Sequence, residues 1–234
     1  KSIEQAAADS LLQMLPGELR PSYKVLFDFE TDEQCAELRR VVEKWNGHDN
    51  GRIRRDAGIY AEYTSNYPLW EALAGYAQEA GLGFQMHLAQ TREEAESCLD
   101  RTGMGPGELL NCHRLFNVPA TAAGCNHLED YEQKMLGKKK ASAVACPLCD
   151  AKAGRPTTPI LDCVKAGMNV ALGTGGAIEC GNLDMFEVIR CAAMAERTAA
   201  GNAAALPASA LIYAPVSVCR IQRLFRRCTA ETMR

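Results

Sequence analysis

Apolar and polar positions along this chain switch repeatedly between an extended run and a helical spacing. Residues 24–29 (KVLFDF) read as a short strand, and 32–45 carry apolar residues at helical intervals until Asn46 and Gly47 stop them. The unit then recurs. Residues 52–59 read as a strand, 69–80 as a helix closed by Gly81, and 82–88 as a further apolar strand. Thr91 with Glu94 three residues on predicts a capping box at the next helix. Strands are predicted again over 120–125, 141–146 and 168–172, with helices over 128–136, over 159–166 closed by Gly167, and over 183–199.

About six alternations with short links favour parallel strands joined by helical crossovers, so the expected fold class is α/β. A doubly wound sheet and an eight-stranded barrel both satisfy the pattern. In either, chemistry gathers after the carboxyl ends of the strands. Those ends read Tyr60-Ala61-Glu62, His87-Leu88-Ala89-Gln90, Gly124-Cys125-Asn126, Cys146-Pro147 and Gly173-Thr174-Gly175-Gly176.

Composition narrows the partners. With 47% hydrophobic and 24% charged residues, the 234-residue chain can bury a full core and is globular, not disordered. A net charge of −3 with dispersed Lys and Arg argues against a nucleic-acid surface. No long apolar run and no signal peptide is present, which predicts no membrane association and a cytoplasmic location for a chain that starts at Lys1. Cys35, Cys98, Cys163 and Cys191, among eleven cysteines, are expected as buried thiols.

Three segments then make the chain recognisable. Met86-His87-Leu88-Ala89-Gln90-Thr91 resembles the HLAET or HLSET motif of the amidohydrolase superfamily, in the branch of nucleoside and purine deaminases and s-triazine chlorohydrolases. Thr121-Ala122-Ala123-Gly124-Cys125 stands where that family has AAHC. Asn169–Ala177 (NVALGTGGA) stands where it has NVALGTDGA, followed by a matching Asn182-Leu183-Asp184-Met185-Phe186. The resemblance, from roughly Gly51 to Arg190, implies a (β/α)8 barrel of the TIM type. About six βα units are present here, so the barrel is expected to be incomplete.

The resemblance also implies a site. His87 matches a family metal ligand, and the family cofactor is zinc or another divalent metal. Gln90 falls on the family's proton-shuttling Glu, Gly124 on the His of AHC, Gly175 on the Asp of GTDGA, and Tyr60 where many members have His before the Tyr63-Thr64-Ser65 motif. The HxH pair that opens the family's metal site has no counterpart in these 234 residues. A catalytic zinc needs about three protein ligands, and Gln cannot exchange a proton near neutral pH. The losses therefore leave open a chain with no metal bound.

Two functions follow. One is a metal-dependent hydrolase or deaminase acting on C–N bonds of a purine-like heterocycle, impaired in this chain. The other is a non-catalytic relative or fragment that binds a ligand or partner. A homo-oligomer, or a partner chain that completes the barrel, stays open because an arc of about six strands leaves two free edges. The expected organisation is a partial barrel domain over 1–210 and a divergent tail over 211–234, where Arg220, Arg223, Arg226 and Arg227 form a basic helical face.

Other combinations are weaker. His127-Leu128-Glu129 with Cys146-Pro147-Leu148-Cys149 superficially resembles the H-x-E and P-C-x-x-C signature of cytidine deaminases, but the gap is short and the Pro follows the first Cys. An improvised zinc site from Cys125, His127, Cys146 and Cys149 stays open, because their strand ends would be neighbours in a barrel. The cluster at Gly173–Gly176 lacks the Lys of a phosphate loop. His48 and His113 read as loop residues without a role.

Overall fold

The computed structural model describes residues 29–206, which divide into two units: 29–88 with 96–120, and 89–95 with 121–206. The strand expected over 24–29, save Phe29, and the basic segment 211–234 lie outside the described residues.

In the first unit, Asp32 caps helix α1 (Glu33–Trp45) by accepting the N–H groups of Gln34 and Cys35, each at 3.0 Å. The strand expected over 52–59 is shorter than its sequence suggested. Residues 47–53 close on themselves, with Gly47 N–H donating to the Ile53 carbonyl and Ile53 N–H to that of His48, so only β1 (Asp56–Gly58) is left to pair. Helix α2 (Tyr67–Glu79) starts two residues before its expected position because Asn66 accepts the Leu69 N–H at 3.2 Å. It buries Leu69, Trp70, Leu73, Ala74 and Ala77, one stripe at helical spacing. Strand β2 (Gly83–Leu88) runs parallel to β1, with Asp56 opposite Gly83 and Gly58 opposite Gln85, and buries Phe84, Met86 and Leu88.

Helix α3 (Arg92–Thr102) has its first turn in the second unit. The short helix α4 (Pro106–Cys112) and a 3-10 turn at Leu115–Asn117 bury Leu109, Leu110, Leu115 and Phe116. Neither has enough turns to show a period in the sequence.

The second unit alternates strand and helix. Strand β3 (Ala120–Gly124, all but its first residue here) precedes α5 (Asp130–Lys138), then β4 (Ser142–Ala145), α6 (Pro147–Lys152), α7 (Ile160–Lys165) and β5 (Asn169–Leu172). Helices α8 (Ala177–Cys180) and α9 (Met185–Ala200) follow. The β3–β4 and β4–β5 pairs are parallel, with Ala122 opposite Ala143 and Ala143 opposite Val170. All three are fully or nearly buried small or branched residues on one face of the strands, whereas Thr121, Ala123, Ser142 and Val144 at the alternate positions are half-buried. The chain is therefore α/β with parallel strands, as its periodicity predicts.

Two packing details hold this unit. A Cβ on Gly137 would overlap the Ala166 carbonyl, so α5 approaches the end of α7 only through glycine. Buried Glu196 of α9 accepts the N–H groups of Ile160 at 2.7 Å and Leu161 at 3.4 Å, capping α7 across 36 residues of sequence. Cys35, Cys98 and Cys163 are buried as expected, whereas Cys191 is only half-buried on α9. Among the described residues no helix is long and apolar enough to cross a membrane.

Candidate functional site

The family-site positions divide between the units: Tyr60 and His87 in the first, Gln90, Gly124 and Gly175 in the second.

His87 is half-buried near the end of β2. Its Nδ1 lies 3.0 Å from the carbonyl oxygen of Tyr60, which also accepts the His87 backbone N–H at 2.8 Å. A carbonyl can only accept, so Nδ1 carries the proton in this contact, which leaves Nε2 as the ring nitrogen that could face a metal. Metal-ligating histidines are oriented by such a contact. The Tyr60 ring rests against the imidazole at 4.7 Å between centroids, so Tyr60 packs on His87.

The residues after Tyr60 are structural. Thr64 donates its hydroxyl to the Ala61 carbonyl at 2.8 Å, and Ser65 accepts the Trp70 indole N–H at 2.6 Å. Between Tyr60 and Ser65, Glu62 is buried and receives Arg101 Nη2 on both carboxylate oxygens, at 3.0 and 2.7 Å. That charge-assisted bond raises the Arg101 pKa. His113 also has a structural place: it stacks on Tyr67 at 4.6 Å, meets Trp70 edge-on, and contacts Glu71 through Nδ1 at 3.1 Å. His48 packs edge-on against Trp45.

In the second unit, the capping box expected at Thr91 is half realised. Thr91 Oγ1 accepts the Glu94 N–H at 3.2 Å, but the Glu94 carboxylate reaches past Thr91 to the N–H groups of Ala89 and Gln90, at 2.9 and 2.8 Å. Ala89 lies in the left-handed region at φ 46°, which turns both donors toward that carboxylate. The Gln90 backbone is thus held by a carboxylate, and its carbonyl accepts from Asn126 Nδ2 at 3.3 Å.

Asn126 belongs to a buried polar cluster. The Thr158 hydroxyl stands 2.6 Å from the Gly124 carbonyl and 2.9 Å from Asn126 Oδ1. Asn126 also hydrogen-bonds Asp150, which pairs with Arg155 at 3.2 Å. Burial raises the Asp150 pKa, opposed by Asn126 and Arg155. Gly124 has φ 96°.

Around Gly175 the space is taken. Its φ is 66°, and a Cβ would run into Cys149 Sγ and lie 3.2 Å from Glu179 Oε2. The Cys149 thiol donates to the Thr174 carbonyl at 3.1 Å, while the Gly175 N–H hydrogen-bonds the Cys146 thiol. Burial pushes Cys146 up to about 12 and Cys149 to about 11.

The improvised zinc site is overturned. Cys125, at φ 64°, turns its thiol back onto the Ala122 carbonyl, and Cys149 points to Thr174. Among the described residues, no group of three or more His, Cys, Asp or Glu side chains is placed to hold a metal ion. The described donor set therefore does not fit a catalytic zinc. An open, mainly apolar groove of about 660 Å³ between α6 and α9, lined in part by Leu148, Arg190, Cys191 and Met194, includes none of the family-site positions.

Comparison with known proteins gives these features a context. A family model described as "Amidohydrolase family" matches residues 5–214. The chain is 34% identical over 190 residues to a 5-methylthioadenosine/S-adenosylhomocysteine deaminase of Caldanaerobacter subterraneus subsp. tengcongensis, covering 81% of this chain and 44% of that protein. It is 35% identical over 181 residues to the protein of that name from Moorella thermoacetica, covering 77% and 42%. Among solved structures, a zinc-bound adenosine deaminase from Xanthomonas campestris superposes with TM-score 0.74 at 26% identity, over 79% of this chain and 42% of that one. Atrazine chlorohydrolase from Arthrobacter aurescens TC1, complexed with zinc, shares the fold with TM-score 0.75 at 18% identity, over 86% and 45%. The chain spans less than half the length of these relatives.

Proposed function

The chain belongs to the amidohydrolase family, and from that premise we propose that it is the framework of a metal-dependent deaminase of purine-type nucleosides whose hydrolytic step is lost or strongly weakened. The substrate class comes from relatives named as deaminases of 5-methylthioadenosine, S-adenosylhomocysteine and adenosine. One observation carries the loss: the Cys149 thiol fills the space that a side chain on Gly175 would need. An acid at 175 is therefore absent from the sequence and also has no room in the fold.

The other positions support the same reading. His87 is held with Nε2 available, yet a lone imidazole supplies neither the affinity nor the geometry of a catalytic zinc. Gln90 cannot shuttle a proton, and loss of a general acid/base alone removes about 10²- to 10⁴-fold in rate. The strand ends carry a polar scaffold of their own, Glu94 on the Gln90 backbone and Thr158 between Asn126 and the Gly124 carbonyl.

Zinc content tests the proposal. The purified 234-residue chain, loaded with zinc and dialysed, is expected to retain well under one equivalent, with no difference in the His87→Ala variant. Stoichiometric zinc that disappears in His87→Ala would overturn it.

A further inference from the structure

Helices α6 and α9 enclose the open groove of about 660 Å³ in the second unit, walled by Leu148 and Ala151 of α6 and by Cys191, Met194, Ala195 and Ala199 of α9. Met194 is 64% exposed and Cys191 half-buried, so apolar surface faces outward over several turns of α9. Thr198 and Ala199 mark the groove's end at the carboxyl end of α9, and Glu187 and Arg190 stand at the other. The described chain stops beside the first of these ends. Asn202 N–H returns to the Arg197 carbonyl at 3.2 Å, Arg197 Nε donates to the Ala205 carbonyl at 3.2 Å, and Leu206 is buried.

The sequence after Leu206 suits this groove in reach and in pattern. From Glu187 to Ala199 helix α9 rises about 18 Å, at about 1.5 Å per residue, a distance that roughly six extended residues span. Residues 211–218 (LIYAPVSV) are mostly apolar, and Ile221, Leu224 and Phe225 then recur at helical spacing among Arg220, Arg223, Arg226 and Arg227. We propose that residues 211–227 of the same chain cover the groove, running back along α9 with apolar side chains against Leu148 and Met194 and with arginines toward Asp184 and Glu187. Both carboxylates are exposed, Asp184 as the cap of α9 and Glu187 as acceptor of Asn182 Nδ2 at 2.7 Å. Arg190, one turn on, repels other arginines, which sets the apolar stretch and not the basic one along the middle of the groove. Because the segment is tethered at Leu206, its effective concentration at the groove is high, and contacts too weak to hold a free peptide suffice.

Photo-crosslinking on the intact chain tests the assignment. With p-benzoyl-L-phenylalanine in place of Met194, or in a second preparation in place of Thr198, irradiation is expected to give an adduct of single-chain mass that maps to residues 211–227. The same chains carrying Ile221→Asp, Leu224→Asp and Phe225→Asp, all outside the described residues, are expected to lose that adduct by at least about fivefold, because apolar contact and not the tether alone holds the segment. Adducts of doubled mass would put a second copy on the groove and overturn the proposal. So would adducts that map elsewhere in the chain, no adduct at either position, or an adduct that the three aspartates leave undiminished.

Discussion

Cys149 Sγ occupies the volume into which a Cβ on Gly175 would project, and Gly175 holds a left-handed backbone at φ 66°. The two residues have become mutually dependent: the glycine leaves room for the thiol, and the thiol closes the glycine to substitution. The substitution Gly175→Asp is therefore expected to destabilise the protein by about 3 kcal/mol, through overlap and an unfavourable φ together. Adding Cys149→Ala removes the overlap but not the φ term, so a double-mutant cycle in urea is expected to show about 2 kcal/mol of coupling. Additive effects would contradict this arrangement.

Glu62 and Arg101 make a second dependent pair. Glu62 is 1% exposed, and Arg101 binds both of its oxygens from a half-exposed position. Arg101→Ala leaves a carboxylate buried without its cation and is expected to cost about 2 to 3 kcal/mol, less than a fully buried pair because Arg101 is partly solvated. Urea unfolding at pH 7 measures the loss, and Glu62→Gln in the same background is expected to recover part of it.

Gly137 sets the approach of α5 to the end of α7. Gly137→Ala places a methyl group in the Ala166 carbonyl, which backbone displacement must relieve, and is expected to lower stability by about 3 kcal/mol. At an exposed helix position the same change would stabilise slightly. A neutral or stabilising result would show that the helices separate freely.

The buried thiols predict an alkaline limit. Burial raises Cys35, Cys146 and Cys163 to about 12 and Cys149 to about 11, from an ordinary 9.0. The folded state therefore holds these protons more tightly than the unfolded chain. The corresponding stability is fully present below pH 9 and is lost as pH rises through 11 to 12. Unfolding midpoints between pH 8 and 11 are expected to fall, less steeply in a Cys146→Ala variant. Equal slopes would remove Cys146 as a contributor.

The strands and longer helices were legible because burial imposes a period on sequence, as in the stripe from Leu69 to Ala77. Helices α4, α6 and α8 have too few turns for a period and were missed, and β1 lost its first half to a local turn at Gly47 that apolar content does not reveal. The candidate site positions rest on the resemblance of motifs, which says nothing of their surroundings. Nothing in the sequence places Thr158 under Gly124, or Glu196 on Ile160, because such long-range polar contacts depend on packed geometry. Glu94 was identified as a cap, but its true partners, Ala89 and Gln90, follow from the left-handed turn at Ala89. The Cys125, His127, Cys146 and Cys149 combination failed for the same reason: neighbouring strand ends do not determine where thiols point.

Ammonia release tests the central claim most directly. With 5-methylthioadenosine as substrate and zinc in excess, the 234-residue chain is expected to release ammonia no faster than the same mixture containing its His87→Ala variant. Sustained turnover that is zinc-dependent and abolished by His87→Ala would contradict the account.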